Sequence, residues 1–438
     1  MWWKRISRCW KPGLQAISVL LLAVFLWNTA LRAQSETTDW QSTAAEEADW
    51  KQIGLDIFRQ AAEENRLSDP ETVRSLVERF GACGHAAVDS ENQVDMVCRE
   101  QVEAFCEQVS KEENGEVTIV EVTGQGAFAV YALKTADGVV SVDRSYYRYS
   151  GGTVEKTAES TYVADYWNYT QDGYLIFSGI MYTEELYLLT LSETEECKAF
   201  RVQPLEETCR ELNRQYILPI GYKKNNLFNT DWSEENFGEL DFCDVFDVFY
   251  QRAMGQPSPY VADDNLSVGA VYEIPAEEFE HVIQTFLKVD SASIREKTDW
   301  CADGYYVYRP RGFYEVGIPD SIYPEVTAYR YNGDGTLTLT VHAVYPYGGT
   351  SRAVIHEVVV RLMENGGVQY VSNHILSAEE EDFIWYVPRL SEEEWEEIYG
   401  LAVAESPCRS YTKRKVCLRY CKVAYEKQEP KKSAPLEP

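Results

Sequence analysis

The chain contains 438 residues, of which 45% are hydrophobic and 26% are charged. This composition is typical of a globular protein, and the length favours two or three domains. Acidic residues outnumber basic ones by 71 to 41, for a net charge of −30. Such a surface repels phosphate backbones, so we expect no nucleic-acid partner.

The N-terminal residues 1–33 have the pattern of a secretory signal or membrane anchor. Basic residues between Lys4 and Lys11 precede an apolar run over residues 14–31. We expect this run to hold the protein at the cell membrane as a single span, with the C-terminal body outside. The alternatives are secretion after cleavage near Ala33 and a buried N-terminal helix. Residues 34–49 are small, polar and acidic, which is typical of a linker.

Residues 50–220 are predicted to form a first α+β lobe in which helices precede an antiparallel meander. One helix begins near Trp50, a second begins at a capping box of Ser68 and Glu71, and a third covers residues 91–112. The pattern then changes to period two, as in strands. Hairpin turns are expected at Gly124, Asp137-Gly138, Gly151-Gly152 and Asp172-Gly173. A strand over 186–191 and a helix near 204–214 complete the lobe.

Residues 221–270 are interpreted as a connection with a helix around 239–253, and residues 271–400 as a second α+β lobe. In the second lobe a helix begins at Pro275, and a last helix begins at a capping box of Ser391 and Glu394. The strands are predicted near 304–309, 312–317, 326–332, 336–345, 353–363 and 367–376. Residues 401–438 are basic and lack periodicity, which predicts a disordered tail.

The two lobes share a spacing of turns. Asp137-Gly138 precedes Gly151-Gly152 by 14 residues, and Asp334-Gly335 precedes Gly348-Gly349 by the same 14. The pattern indicates either an internal duplication or the recurrence of turns in any meander. Helices followed by a meander resemble cystatin-like and nuclear-transport-factor-like lobes, an analogy of fold that implies no function.

Ten of the 11 cysteines follow the apolar run, as expected for an exported protein with disulfides. The candidate disulfide cysteines are Cys83, Cys98 and Cys106. Free thiols are the main alternative. A zinc site that adds His85 to these thiols is a weaker one, because Cys98 and Cys106 lie eight residues apart on the predicted helix. We expect no metal and no cofactor.

Tyrosine is more frequent in this chain than in most proteins, and the 30 tyrosines are concentrated on predicted strands. Adjacent residues on a strand point to opposite faces, so one of each tyrosine pair is expected to face solvent. The candidate interaction surface consists of Tyr147, Tyr149, Tyr166, Trp167 and Tyr306. The alternative is that tyrosine suits half-buried strand positions.

The familiar catalytic motifs are absent from the sequence. There is no phosphate-binding loop, no dinucleotide-binding glycine motif after a strand and no nucleophile elbow. His356-Glu357 begins like a zinc-protease motif, but Val360 stands where the second histidine is required. Carboxylates are abundant, so a glycosidase pair could not be located without geometry.

Three stretches resemble an uncharacterised exported Clostridia-type (Firmicutes) family, domain of unknown function 6070. They are WKQIGLDIFRQ at 50–60, VDMVCREQVEAFCEQV at 94–109 and SYYRYSGGTVEKTAESTYVADYWNY at 145–169. The resemblance covers about Trp50 to Gly400 and implies no catalytic residue. The chain departs from the family in the basic tail after Gly400 and in lacking a lipid-modified cysteine.

We therefore expect an exported, membrane-anchored, non-enzymatic binding protein whose partner is a protein or the cell wall. A first alternative is an assembly component of a conjugation or secretion apparatus. A second is a cell-wall hydrolase that uses two carboxylates.

Overall fold

The computed structural model describes residues 50–181, 195–262, 269–315, 322–364, 366–378 and 385–399. The apolar run over 14–31, the strand predicted at 186–191 and the basic tail lie outside these ranges. The chain divides into the units Met1–Leu55 and Asp56–Pro438, and the sheets and hydrophobic cores lie within the second.

The fold is α+β with antiparallel sheets, as predicted, and the described ranges contain eight α-helices. The elements up to residue 201 are α1 (Leu55–Glu63), α2 (Pro70–Ala82), β1 (Ala86–Asp89), α3 (Arg99–Ser110), β2 (Gly115–Thr123), β3 (Ala127–Ala136), β4 (Val139–Ser150), β5 (Thr153–Val163), β6 (Tyr166–Tyr169), β7 (Tyr174–Ile180) and β8 (Glu195–Arg201).

The later elements begin with a helix that continues into a π-helical turn over Asn213–Ile217. They are α4 (Glu207–Leu212), β9 (Trp232–Ser233), α5 (Phe242–Met254), β10 (Tyr272–Pro275), α6 (Ala276–Phe286), α7 (Ser291–Glu296), β11 (Trp300–Cys301), β12 (Tyr305–Tyr308), β13 (Tyr323–Tyr331), β14 (Thr336–Tyr345), β15 (Thr350–Leu362), β16 (Val368–Ala378) and α8 (Glu392–Tyr399).

The strands form two five-stranded and two three-stranded sheets. The five-stranded sheets have the orders β1-β2-β3-β4-β5 and β13-β14-β15-β16-β9. The three-stranded sheets have the orders β6-β7-β8 and β10-β12-β11. Neighbouring strands are antiparallel except β1 and β2, which are parallel.

The glycine-containing turns lie where the sequence predicts them. Asp137 and Gly138 both have positive φ, 51° and 77°, and join β3 to β4. Gly151 and Gly152, at 59° and 88°, join β4 to β5. Two positive φ values in a two-residue loop match the right-handed twist of the flanking strands. The Asp334-Gly335 turn likewise joins β13 to β14, and Gly348-Gly349 lies between β14 and β15. The repeated spacing therefore marks two successive hairpin turns in each five-stranded sheet.

The third helix is shorter than predicted, because residues 91–98 are not helical. The Asp89 carboxylate accepts hydrogen bonds from the backbone N–H groups of Gln93 and Val94, both at 2.8 Å, and so stabilises a loop instead. Val97 pairs with Ala87 in an antiparallel bridge. The helix begins only at Arg99, and strand β1 beside it is not predicted from the sequence.

The two predicted capping boxes differ in outcome. At α8 the box is confirmed, since the Ser391 N–H donates to the Glu394 carboxylate at 2.9 Å and the Glu394 N–H donates back to the Ser391 hydroxyl at 3.3 Å. At α2 the prediction of Ser68 is wrong. Asp69 occupies the cap position without a side-chain hydrogen bond, because Pro70 begins the helix.

The strand predicted at 312–317 is also wrong over its described part. Residues Phe313–Glu315 form a 3-10 turn, which the Glu315 carboxylate closes by accepting the Gly312 N–H at 2.9 Å.

Two main hydrophobic cores organise the described residues. The first joins α3 to strands of the β1–β5 and β6–β8 sheets, and its buried members lie between Ala86 and Val202. The second begins at Leu205 and extends to Trp385, under α5 and α6. A small third cluster of Tyr174, Ile176 and Val344 joins β7 to β14.

His356 is buried in the second core and makes the fold sensitive to acid. Its ring nitrogens contact the Tyr222 hydroxyl at 2.8 Å and the Asn373 amide oxygen at 2.6 Å. Burial lowers the pKa of His356 from its usual 6.5 to about 4. The unfolded chain therefore binds a proton between these values while the folded chain does not, so stability falls as the pH falls.

We expect this histidine to remove roughly 3 kcal/mol from the free energy of unfolding between pH 7 and pH 4, at about 1.4 kcal/mol per pKa unit. Urea unfolding at a series of pH values measures the effect, and His356→Gln should show a correspondingly smaller loss. The exposed His281 provides the control variant His281→Gln, which should follow the native curve. Equal pH dependence in native protein and His356→Gln would contradict the prediction.

Candidate functional site

Two adjoining depressions form a groove between α6 and β16. Their volumes are about 570 Å³ and about 460 Å³, within the range of small-molecule sites. Gln284 of α6 and Gln369 of β16 line both depressions, so the two form one continuous feature. We call it the amide groove.

The packing of α6 determines where the groove lies. This helix buries Phe279, Val282 and Ile283 in the second core. It ends when Leu287 adopts an extended conformation and forms a parallel bridge with Tyr370 of β16. The chain that leaves the helix therefore occupies the edge of β16 at this point and forms part of the groove.

The larger half of the groove combines neutral hydrogen-bonding groups with aromatic and apolar side chains. It is lined by Gln215, Tyr216, Arg252, Gln284, Thr285, Phe286, Met363, Gly366, Gly367, Val368 and Gln369. The Arg252 guanidinium lies 5.7 Å from the centre of the Phe286 ring. Among these described lining residues there is no Asp, Glu, Lys or His, which is unusual in a chain with a net charge of −30.

The smaller half contains acidic groups, but each has a partner. The Glu234 carboxylate accepts two hydrogen bonds from Arg361, at 2.6 and 2.8 Å. The Asp290 carboxylate caps α7 by accepting the Ser293 N–H at 2.7 Å, and that bond lowers the pKa of Asp290. The smaller half is also lined by Lys288 and Ser293, so the side chains that the two halves share are the amides of Gln284 and Gln369.

The candidate disulfide cysteines lie around helices α2 and α3. Cys83 is exposed and follows α2, while Cys98 precedes α3 and donates from its thiol to the Gly81 carbonyl at 3.6 Å. Cys106 is buried on α3, where burial raises its thiol pKa to about 12. The thiols of Cys98 and Cys83 thus both lie near the end of α2. Cys83, Cys98 and Cys106 are thiols in the structure, and disulfide formation between them stays a prediction.

The five candidate aromatic residues do not form one surface. Tyr147 is 2% exposed and stacks on Phe128, and Tyr306 is 1% exposed and stacks on Phe279 of α6. The prediction that these two face solvent is wrong, because helices cover the faces of the strands on which they lie. The alternation itself holds at Tyr305, the neighbour of Tyr306, which is 39% exposed.

The other three candidates also have contacts within the fold. Tyr149 is half-buried and stacks on Phe58 of α1. Trp167 is half-buried and packs on Phe105 and Phe177. Tyr166 is 39% exposed, and its hydroxyl donates to the Gly349 carbonyl at 2.8 Å, which ties β6 to the turn before β15.

Glu121 and Glu196 are two buried carboxylates that lie on either side of one tyrosine hydroxyl. A hydrolase of the predicted kind also uses two carboxylates. The Tyr131 hydroxyl lies 3.3 Å from the Glu121 carboxylate and 3.0 Å from that of Glu196. Lys198 pairs with Glu121 at 2.7 Å, and Arg144 pairs with Glu196 at 3.1 Å. Each carboxylate is thus neutralised by a cation, which is typical of a network that joins two sheets.

Metal-ligand clusters and membrane-spanning helices are both absent from the described residues. No cluster of three or more His, Cys, Asp or Glu side chains there could hold a metal ion. No helix in those same ranges has both the length and the apolar character needed to cross a membrane.

The fold and the groove define an α+β protein with several antiparallel sheets and a polar cleft beside α6. The chain belongs to a family of unknown function, DUF6070, whose model matches residues 41–389. This match confirms the family resemblance predicted from the sequence. No curated protein and no solved structure matches the chain.

Proposed function

We propose that this chain is an exported protein, anchored by residues 14–31, that binds cell-wall glycan in the amide groove without catalysing a reaction. The observation that carries the proposal is the lining of the groove: side-chain amides along its length beside the ring of Phe286.

The chemistry of the lining suits a sugar. A side-chain amide both donates and accepts hydrogen bonds, and so does a sugar hydroxyl. Gln215, Gln284 and Gln369 line the larger half of the groove. The Gln284 amide donates to the Val289 carbonyl at 3.2 Å, and the Gln369 amide donates to the Gln284 carbonyl at 3.5 Å. Each amide has a second N–H for a ligand. Phe286 and Tyr216 add aromatic surface against which the apolar face of a sugar ring would pack.

The organisation that we propose is two α+β lobes of the cystatin-like or nuclear-transport-factor-like kind. Two hydrophobic cores support this organisation, but they divide between Val202 and Leu205 and not at residue 220 as predicted. Residues 205–220 and the described part of the predicted connection over 221–270 pack in the second core and so belong to the second lobe. The shared order of Asp-Gly and Gly-Gly turns in the two five-stranded sheets supports a common origin of the lobes. In this two-lobe organisation the groove belongs to the second lobe.

Sedimentation with purified Gram-positive cell walls tests the proposed function. Full-length protein in detergent is expected to sediment with the walls, and Gln284→Ala/Gln369→Ala is expected to bind about tenfold more weakly or worse. Two lost hydrogen bonds at about 1 kcal/mol each account for an effect of this size.

Gln60→Ala is the matched control, since Gln60 is an exposed glutamine of α1 outside the groove. It should sediment like the native protein. Native protein that stays in the supernatant would exclude wall binding. Equal sedimentation of the double variant would show that walls bind elsewhere.

A further inference from the structure

The charge in the described lining of the larger half of the amide groove is positive, whereas the whole chain has a net charge of −30. Arg252 is the charged residue among its described lining residues, and the acidic groups of the smaller half are already paired or capping. At physiological salt, charges beyond about 8 Å are largely screened. A ligand in this half therefore lies against Arg252, and the nearest acidic residue along the chain is the exposed Glu364, in the turn between the lining residues Met363 and Gly366.

The fold holds Arg252 in place while leaving donors for a ligand. Arg252 lies in the last turn of α5, where a cation interacts favourably with the helix dipole. Arg252 is exposed, and its guanidinium lies over the ring of Phe286, 5.7 Å from the ring centre. A guanidinium has five N–H donors in a fixed plane, so this arrangement leaves several of them for a planar anion such as a carboxylate.

The surroundings favour a sugar over an extended peptide as the carrier of that carboxylate. A peptide would add to the edge of β16 by backbone pairing. Leu287 already pairs with Tyr370 on that edge, and β9 pairs with Ser372 and Asn373. The side-chain amides beside it remain suited to hydroxyl groups.

We propose that the larger half of the amide groove binds an acidic glycan, with Arg252 receiving a sugar carboxylate and Gln215, Gln284 and Gln369 receiving hydroxyls. This inference rests on the proposed function and names the chemistry of its ligand.

Titration calorimetry of full-length protein in detergent tests it with three probes: oligogalacturonate, the neutral maltoheptaose and poly-L-glutamate. We expect native protein to bind oligogalacturonate at least about tenfold more tightly than maltoheptaose, as expected for a hydrogen bond to a charged group. We expect Arg252→Gln to lose this preference and Arg252→Lys to keep part of it. Arg148→Gln, an exposed arginine of β4 outside the groove, should keep it fully.

The other outcomes separate this inference from the proposed function. Equal binding of the acidic and neutral sugars would overturn the role of Arg252 and leave glycan binding standing. Poly-L-glutamate that binds as tightly as oligogalacturonate would show that the groove recognises charge or peptide instead of a sugar. A third outcome is that native protein sediments with walls, Gln284→Ala/Gln369→Ala does not, and oligogalacturonate does not bind. This outcome would overturn the acidic ligand and leave wall binding in the groove standing. Failure of both experiments would overturn both proposals.

Discussion

Arg201→Met is expected to lower the free energy of unfolding by about 3–5 kcal/mol, the cost of leaving one member of a buried ion pair without its partner. Arg201 of β8 is 8% exposed and Glu325 of β13 is 3% exposed. Arg201 Nη1 lies 2.6 Å from Glu325 Oε2. The Tyr174 hydroxyl donates to the other Glu325 oxygen at 2.7 Å, and the Asn92 amide donates to it as well. Removal of the arginine leaves a carboxylate buried without a counter-charge.

Urea unfolding measures this loss, and Lys111→Met is the control. Lys111 and Glu107 form an exposed pair at 2.6 Å at the end of α3, and such exposed pairs contribute little to stability. Arg201→Met/Glu325→Gln should recover part of the stability, because the glutamine oxygen still accepts from Tyr174 and carries no charge. A single variant that unfolds within about 1 kcal/mol of the native protein would contradict the prediction.

The position of this pair connects the two main cores. Arg201 belongs to the last strand of the β6-β7-β8 sheet, and Glu325 belongs to the edge strand β13 of the later five-stranded sheet. Tyr174 and Val344 pack together in the small apolar cluster that joins the same two sheets. A loss of cooperativity in the Arg201→Met unfolding curve would therefore indicate that the cores unfold separately.

Local signals were sufficient to predict most of the hairpins and several helices. Asp137-Gly138 and Asp334-Gly335 specify turns by their own backbone preferences, and Ser391 with Glu394 specifies the start of α8. Strand β1 was missed because its partner β2 is parallel and distant in sequence. The choice between Tyr305 and Tyr306 was wrong because the covered face depends on the packing of α6.

The amide groove could not be predicted for a related reason. Gln215, Arg252, Gln284 and Gln369 come from four separate segments, and neutral glutamines form no recognisable spacing. The bridge between Leu287 and Tyr370 and the hydrogen bond from the Gln369 amide to the Gln284 carbonyl bring α6 and β16 together. The three glutamines leave no charge pattern in the sequence, whereas the N-terminal pattern of basic and apolar residues is local and visible in the sequence.

Asp244→Ala is expected to destabilise the second core by at least about 3–5 kcal/mol, because it leaves two buried arginines short of their shared counter-charge. Asp244 of α5 is 0% exposed. Its carboxylate contacts Arg311 at 2.9 Å, Arg389 at 2.8 Å and the Tyr386 hydroxyl at 2.9 Å. These contacts hold the segments before β13 and before α8 onto α5, so removal of the carboxylate affects three parts of the chain at once.

The matched control is Asp56→Ala, which also removes an aspartate–arginine pair from a helix. Asp56 of α1 contacts Arg79 at 2.8 Å, but both side chains are well exposed, so the expected cost is below about 1 kcal/mol. Urea unfolding of the two variants therefore compares the loss of stability from a buried aspartate–arginine contact with the loss from an exposed one. Near-equal losses would show that Asp247, which also contacts Arg389, compensates for Asp244. A large difference would identify the shared carboxylate as the group that holds α5, Arg311 and Arg389 together.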